Sequence, residues 1–456
     1  MGIDCHRAHG HGPQRSESVK HGRWRGGGSS SSSSSSSDSE VRPRIYVYDR
    51  PPPEDYSSLI GEDFVHEQGS RGRRRVNESG VGARWVTAND PIYAAGDAFF
   101  MRLLRDEEHR TLNPLHADLY FLPLERVLVQ NTHDLVASEL IDHWIDKWLE
   151  AHAQGPLDRH VWVISTDTCA ASGSEAALEH LTSWLARHGG IIMCHYGLPH
   201  RLMPLMSGER ARGSFVLTPG APKSTLYGSD VDVWTQDRLV KQMHRAWHEV
   251  PGLHRKRRPQ LLFWGSVRWH QCLGSAACQG CLRNPATRSA SCDGLYSRGI
   301  RQVMWSRWAN NSFANFRTEV SPRAKGAAAS QNDEYYAAML NTEYCLAAPG
   351  NGFGVRMIDY VVSGCIPVIV NNSLWFPWEQ PLMVRYAEFA HVFALEQVDE
   401  VVPVLRAASG VDRVRRRVAM QRHVAKFLWD EVHGAAYETT MEALVQLTVS
   451  QRSNIR

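Results

Sequence analysis

The stretch that most limits what this chain can fold into runs from Tyr344 to Glu379, YCLAAPGNGFGVRMIDYVVSGCIPVIVNNSLWFPWE. A short apolar run, Tyr344 to Ala348, breaks at Pro349 and Gly350. It passes through Gly352 and Gly354 before apolar residues recur at helical spacing from Val355. A second apolar run, Ile366 to Val370, follows the break at Gly364 and is rich in β-branched residues. The order strand, glycine turn, helix, strand describes a βαβ unit with buried parallel strands. Glycines in that turn let backbone approach a ligand closely, and the free amides and dipole at the helix start favour an anion such as a pyrophosphate. Arg356 and Asp359 stand three residues apart near the helix start and share a face. An arginine fork suits a diphosphate and a carboxylate suits ribose hydroxyls; the alternative is an i,i+3 ion pair beside an ordinary turn. The turn is not the dinucleotide fingerprint GxGxxG, because Met357 stands where its third glycine would be.

Taken whole, Tyr344 to Glu379 resembles the exostosin-type glycosyltransferases, whose pattern reads FCLAPxGxGxxxRxxEAxxxGCIPVI and closes on an aromatic-Pro-aromatic-Glu corner. Asp359 and Tyr360 depart from the family's glutamate and alanine. Further phrases resemble the same family in the same order: RIYVYDRPP from Arg44, TLNPLHADLYFLP from Thr111, HVWVISTD from His160, SFVLTPG from Ser214, PQLLFWGSVR from Pro259 and YSRGIRQ from Tyr296. Thr166 and Thr168 replace a family histidine and tryptophan, and Ser214 replaces an aspartate.

The resemblance implies an α/β chain of GT-B architecture, two Rossmann-like domains facing across a cleft. It implies an inverting transferase that moves a sugar from a nucleotide diphosphate sugar, UDP-sugar first, to a hydroxyl of a polysaccharide or glycoprotein glycan. By the same resemblance Arg268 reaches the donor diphosphate across from Arg356, and Gly350, Asn351, Gly352, Gly354, Asp359 and Glu379 complete the donor site. Asp167, at the C-terminal end of a strand where ligands sit in open α/β sheets, is the candidate catalytic base; its plainer reading is a helix-capping or turn aspartate. Arginine charge and a helix N-terminus can stabilise the departing diphosphate, so no metal and no cofactor are expected. Asp230-Val231-Asp232 has the letters of a cation-binding pair but follows a Gly-Ser loop.

The 456 residues, 43% hydrophobic, suffice for two ordinary domains and tails. Residues 1–40 end in a serine tract that cannot bury a core and read as a disordered stem. Residues 41–250 are expected to form the acceptor domain and 251–430 the nucleotide-sugar domain. Residues 431–456 are expected to form a helix crossing back to the first. A net charge of +3 argues against nucleic acid as a partner. The basic runs His254 to Arg258 and Arg413 to Arg417 read as solvated faces.

Cys272, Cys278, Cys281 and Cys292 could hold zinc, although two disulfides stapling a loop are the preferred reading. Cys194, Cys345 and Cys365 are assigned no partner. No run of about 18 apolar residues occurs. The resemblance implies a type II membrane protein of the Golgi or ER lumen, possible complexes with other glycosyltransferases, and an anchor that this sequence does not contain. Two rival readings stay open. The lost family residues Thr166, Thr168 and Ser214 suit a non-catalytic carbohydrate-binding subunit of a glycosyltransferase complex, and another nucleotide-dependent enzyme such as a dehydrogenase is disfavoured by the missing fingerprint.

Overall fold

The computed structural model describes residues 42–48, 95–122, 153–164, 188–194, 213–217, 236–248, 256–268, 275–283, 296–317, 329–349, 356–371, 375–379 and 382–453. Strands β1 (Ile45–Val47), β2 (Arg110–Thr111), β3 (Leu119–Leu122), β4 (His160–Ile164), β5 (Gly190–Cys194) and β6 (Gly213–Leu217) form one parallel sheet in the order β2-β1-β3-β4-β5-β6. Strands β7 (Arg258–Trp264), β8 (Ala314–Arg317), β9 (Thr342–Leu346), β10 (Ile366–Asn371) and β11 (His391–Ala394) form a second parallel sheet in the order β11-β10-β9-β7-β8. The α/β class with two parallel sheets is therefore as the sequence implies.

The helices among the described residues are α1 (Ala95–Arg105), α2 (Gln236–Trp247), α3 (Ala276–Arg283), α4 (Ile300–Trp308), α5 (Ala329–Asn341), α6 (Arg356–Val362), α7 (Val401–Ala407), α8 (Gly410–Gln421) and α9 (Ala436–Ser453). None is long and apolar enough to cross a membrane. The serine-rich stem, residues 1–40, lies outside the described residues.

In each sheet the chain lays its second strand on one side of the first and its third on the other. That reversal creates a switch point between β1 and β3 and another between β7 and β9, where the loops leaving two neighbouring strands diverge. The βαβ unit read from the sequence is present as β9, α6 and β10, with β9 pairing β10 in parallel. Every residue of β9 is buried, as parallel-sheet strands covered on both faces require. Residues Met357 to Val362 of α6 are also buried, which leaves only Arg356 of that helix partly exposed.

Two long-range attachments decide where the flanking helices lie. Helix α2 docks on the second sheet's helices. Gln242 Nε2 donates to the Tyr336 carbonyl and the Ser363 hydroxyl, and Trp247 Nε1 donates to the Val361 carbonyl. Helix α9 packs on α1: the Tyr437 ring meets Phe99, its hydroxyl donates to Asp106 at 2.7 Å, and Arg102 pairs with Glu438.

The reading of both basic runs as solvated faces holds for Lys256, Arg258 and Arg415 and is corrected for one arginine in each run. Arg257 is buried and donates to the carbonyls of Met339, Thr342 and Ser363, tying the ends of α5 and α6 together. Arg417 is buried against Glu343 of β9. A long apolar stem lets an arginine cross a core when carbonyls or a carboxylate wait at the far side.

Candidate functional site

The second switch point gathers the charged groups. After β7 the backbone continues through Gly265, Ser266 and Val267 to Arg268, an exposed residue with φ 52°. After β9 it continues through Ala347 and Ala348. Arg356, the first residue of α6, reaches across and donates from Nε to the Trp264 carbonyl at 3.1 Å. Its guanidinium lies so close to the chain that a Cβ on Gly265 would stand 2.4 Å from Nη2. Only glycine fits there without moving the arginine.

A second arginine, Arg301 of α4, is buried and bridges the two diverging loops. It donates to the Ser266 carbonyl at 2.9 Å and to the Ala348 carbonyl at 3.2 Å. Its neighbour Gln302 donates to the Val267 carbonyl at 2.8 Å. Arg301 and Arg356 both lie within cation–π reach of Phe263, at 5.5 and 5.9 Å. The loop that leads to Arg268 is thus held at Trp264, Ser266 and Val267 by side chains from two different helices. Ser297, Arg298 and Gly299, just before α4, all take left-handed backbone conformations (φ 61°, 50° and 77°), which is costly for the two non-glycines. Arg301 and Gln302 were not singled out by sequence reasoning, although they lie in the YSRGIRQ phrase it noted.

The remaining expected site residues separate into two groups. Asp167, Gly350, Asn351, Gly352 and Gly354 lie outside the described residues. Asp359 is 0% exposed, and its carboxylate accepts hydrogen bonds from the hydroxyls of Tyr335 at 3.0 Å and Tyr336 at 3.4 Å. It holds α6 against α5.

Glu379 forms part of the corner that follows β10. Its Oε2 accepts the Phe376 amide at 2.6 Å, and the corner is closed by Trp378, buried with φ 65° and donating from Nε1 to the Lys426 carbonyl. Burial pushes the Glu379 carboxyl from its ordinary 4.5 up to about 7, against the Phe376 amide, which favours the charged form.

Because the folded state binds this proton more tightly than the unfolded chain, its stabilising contribution is complete below pH 4.5. It is lost as pH rises through about 7. Denaturant unfolding followed from pH 4.5 to 7 should therefore show stability falling with pH, by at most about 3 kcal/mol from this group. Glu379→Gln should flatten that slope, and an unchanged slope would remove Glu379 as its source.

Several cysteines are bonded. Cys345 and Cys365, assigned no partner from sequence, form a disulfide with both residues fully buried. Cys194, also assigned none, is disulfide-bonded. Cys278 and Cys281 are buried and each is disulfide-bonded, while Cys272 and Cys292 lie outside the described residues. Among the described residues no cluster of histidine, cysteine and carboxylate could hold a metal ion.

Residues 281–408, from the end of α3 through α7, match the family model described as the Exostosin GT47 domain. The match covers 128 of the 456 residues. The matched stretch contains Arg301, the β9-α6-β10 unit, Arg356 and Glu379, whereas β7 and Arg268 precede it.

Relatives include a probable glucuronosyltransferase of Oryza sativa subsp. japonica, 27% identical over 113 residues, which are 25% of this chain and 24% of the relative. Another is the probable beta-1,4-xylosyltransferase IRX10 of Arabidopsis thaliana, 26% identical over 113 residues with the same shares. The matches thus span about a quarter of these relatives' length. Among solved structures, Anabaena HepE in complex with UDP-glucose aligns over 90% of this chain and 100% of its own at a TM-score of 0.34 and 9% identity. The glycosyltransferase WaaG aligns over 77% and 96% at 0.33 and 11%. At those scores the likeness adds nothing to the fold, which rests on the strand order of the two parallel sheets.

Proposed function

We propose that the chain is a glycosyltransferase that moves a sugar from a nucleotide diphosphate sugar to a hydroxyl of a glycan, in the two-domain manner called GT-B. The observation that carries the reading is the β7/β9 switch point, where Arg356 at the start of α6, inside the stretch that matches the exostosin model, is fixed against the β7 loop. In this reading residues 251–430 take the donor and residues 41–250 the acceptor, with residues 431–456 crossing back to the acceptor domain. Arg356, Arg268 and the glycine turn Gly350, Asn351, Gly352 and Gly354 surround the diphosphate, and Glu379 lines the same donor site. Asp359 is assigned the task of seating α6 through Tyr335 and Tyr336 rather than direct contact with ribose.

The reaction is read as inverting. Asp167 accepts the proton of the acceptor hydroxyl, that oxygen forms a bond to the anomeric carbon, and the bond from that carbon to the diphosphate oxygen breaks. The diphosphate leaves with the electron pair, and arginine charge stabilises it in place of a metal. The relatives' names make UDP-glucuronate and UDP-xylose the first donors to try. The disulfides suit an oxidising compartment such as the Golgi or ER lumen.

A transfer assay with each donor and a panel of glycan acceptors, with and without a chelator, tests the reading. Product of inverted anomeric configuration formed in the presence of chelator supports it. A folded chain that binds donor yet transfers nothing favours the alternative, a non-catalytic carbohydrate-binding subunit, which the departures at Thr166, Thr168 and Ser214 also suit.

Gly265→Ala offers a separate check. The new Cβ can be accommodated only if the Arg356 tip moves, so donor affinity should fall by roughly tenfold or more while the unfolding midpoint barely changes. Unchanged affinity would mean that the arginine's position does not matter for the donor.

A further inference from the structure

The sequence contains three Asn-X-Ser sequons, and the structure separates them. Asn77 lies outside the described residues, as do Asn372 and Ser373 of the third. Asn371 is itself a ladder residue at the end of β10, in register with Ala394 of β11. Asn310, followed by Asn311 and Ser312, occupies the turn between α4 and β8, with Asn310 and Ser312 both exposed.

The turn is held by Asn311 and not by Asn310. The Asn311 amide donates to the Trp308 carbonyl, the Asn311 carbonyl accepts from Ala314, and the Asn311 side chain accepts the Phe313 amide and the Arg406 guanidinium. No structural task of this turn falls to the Asn310 side chain. Ser312 lines an open cavity of about 390 Å³ with Arg258, Phe313 and Arg406.

We propose that Asn310 is an N-glycosylation site of this chain. Two independent observations meet there. The sequon supplies an asparagine amide with a hydroxyl two residues on, at a place where a bulky glycan meets solvent and displaces no packing. The disulfides Cys345–Cys365 and those of Cys194, Cys278 and Cys281 belong to a chain that folds in an oxidising compartment, which is where such transfer occurs. In the step, Asn310 Nδ2 forms a bond to the anomeric carbon of an oligosaccharide carried on a polyprenyl diphosphate. The bond from that carbon to the diphosphate breaks, the diphosphate leaves with the electron pair, and one amide proton is released. Because Asn310 precedes β8, the glycan projects from the N-terminal end of the second sheet, opposite the strand ends that carry Arg268 and Arg356. The inference does not rest on the proposed transferase activity.

The test is the full chain, secreted from a eukaryotic cell behind a cleavable leader and examined by peptide mapping before and after an N-glycosidase. The Asn310 peptide should carry a glycan and gain the aspartate mark of enzymatic release. Asn310→Gln and Ser312→Ala should each lose that modification, and Ser312→Thr should keep it. A secreted, disulfide-bonded chain whose Asn310 peptide is unmodified in both wild type and Ser312→Thr overturns the proposal, as does modification confined to other asparagines.

Discussion

Replacing Arg417 with alanine is expected to lower the unfolding free energy by about 3–5 kcal/mol. The guanidinium and the Glu343 carboxylate are both almost fully buried, at 6% and 5% side-chain exposure, and pair across the space between α8 and β9. Removing the arginine strands a carboxylate inside the sheet that ends at the candidate site, so most of the cost is the desolvation of a charge with its partner gone. The joint replacement Arg417→Met with Glu343→Leu should recover most of the loss, since an apolar pair of similar volume carries no such penalty. Chemical denaturation of the single and double variants decides the point. A mild effect of Arg417→Ala, comparable to an exposed ion pair of under about 1 kcal/mol, would contradict the buried pairing.

The second large effect concerns the Cys345–Cys365 bond. It closes a loop of sequence separation 20 that contains the glycine turn and α6, and ties β9 to the residue before β10. A cross-link over a loop of that length stabilises by about 3 kcal/mol, chiefly by restricting the unfolded chain. Cys345→Ala with Cys365→Ala should therefore lower the denaturation midpoint by a corresponding amount. Reductant should leave the native wild type intact, because neither sulfur is exposed, and should act once the chain unfolds. A double variant as stable as wild type would show that the bond contributes nothing.

Much of the frame is legible in the sequence because burial imposes a pattern. Strands covered on both faces are mostly apolar, so β4, β5, β10 and the ends Leu261 to Trp264 of β7 and Tyr344 to Leu346 of β9 stand out as short apolar runs. Strands β8 and β11 do not. The first is partly exposed along its length and the second alternates buried and exposed residues over four positions, too few for periodicity to register.

The site divides in the same way. Arg356 is legible because it follows a glycine turn at a helix start, yet its contact with Trp264 and its demand on Gly265 depend on the strand order, which brings β7 beside β9. Arg257 and Arg417 read as surface charge and Arg301 drew no reading, because a local window cannot contain their partners, which lie between 35 and 106 residues away. Asp359 is the converse case: its charge suggested a ligand, while the two tyrosines that occupy it come from α5, 24 and 23 residues earlier. The Cys345–Cys365 pairing was hidden for the same reason, since it follows from two strands being neighbours.

The central claim is that the β7/β9 switch point binds a nucleotide diphosphate sugar through Arg356. The most direct measurement is a calorimetric titration of the chain with UDP-glucuronate and UDP-xylose, with UDP as a control, repeated with Arg356→Ala. The account predicts binding of at least one donor and a loss of roughly 10–100-fold in affinity in the variant, the worth of hydrogen bonds to a charged group. Equal affinity in wild type and Arg356→Ala, or no binding by a folded wild-type chain, would contradict it.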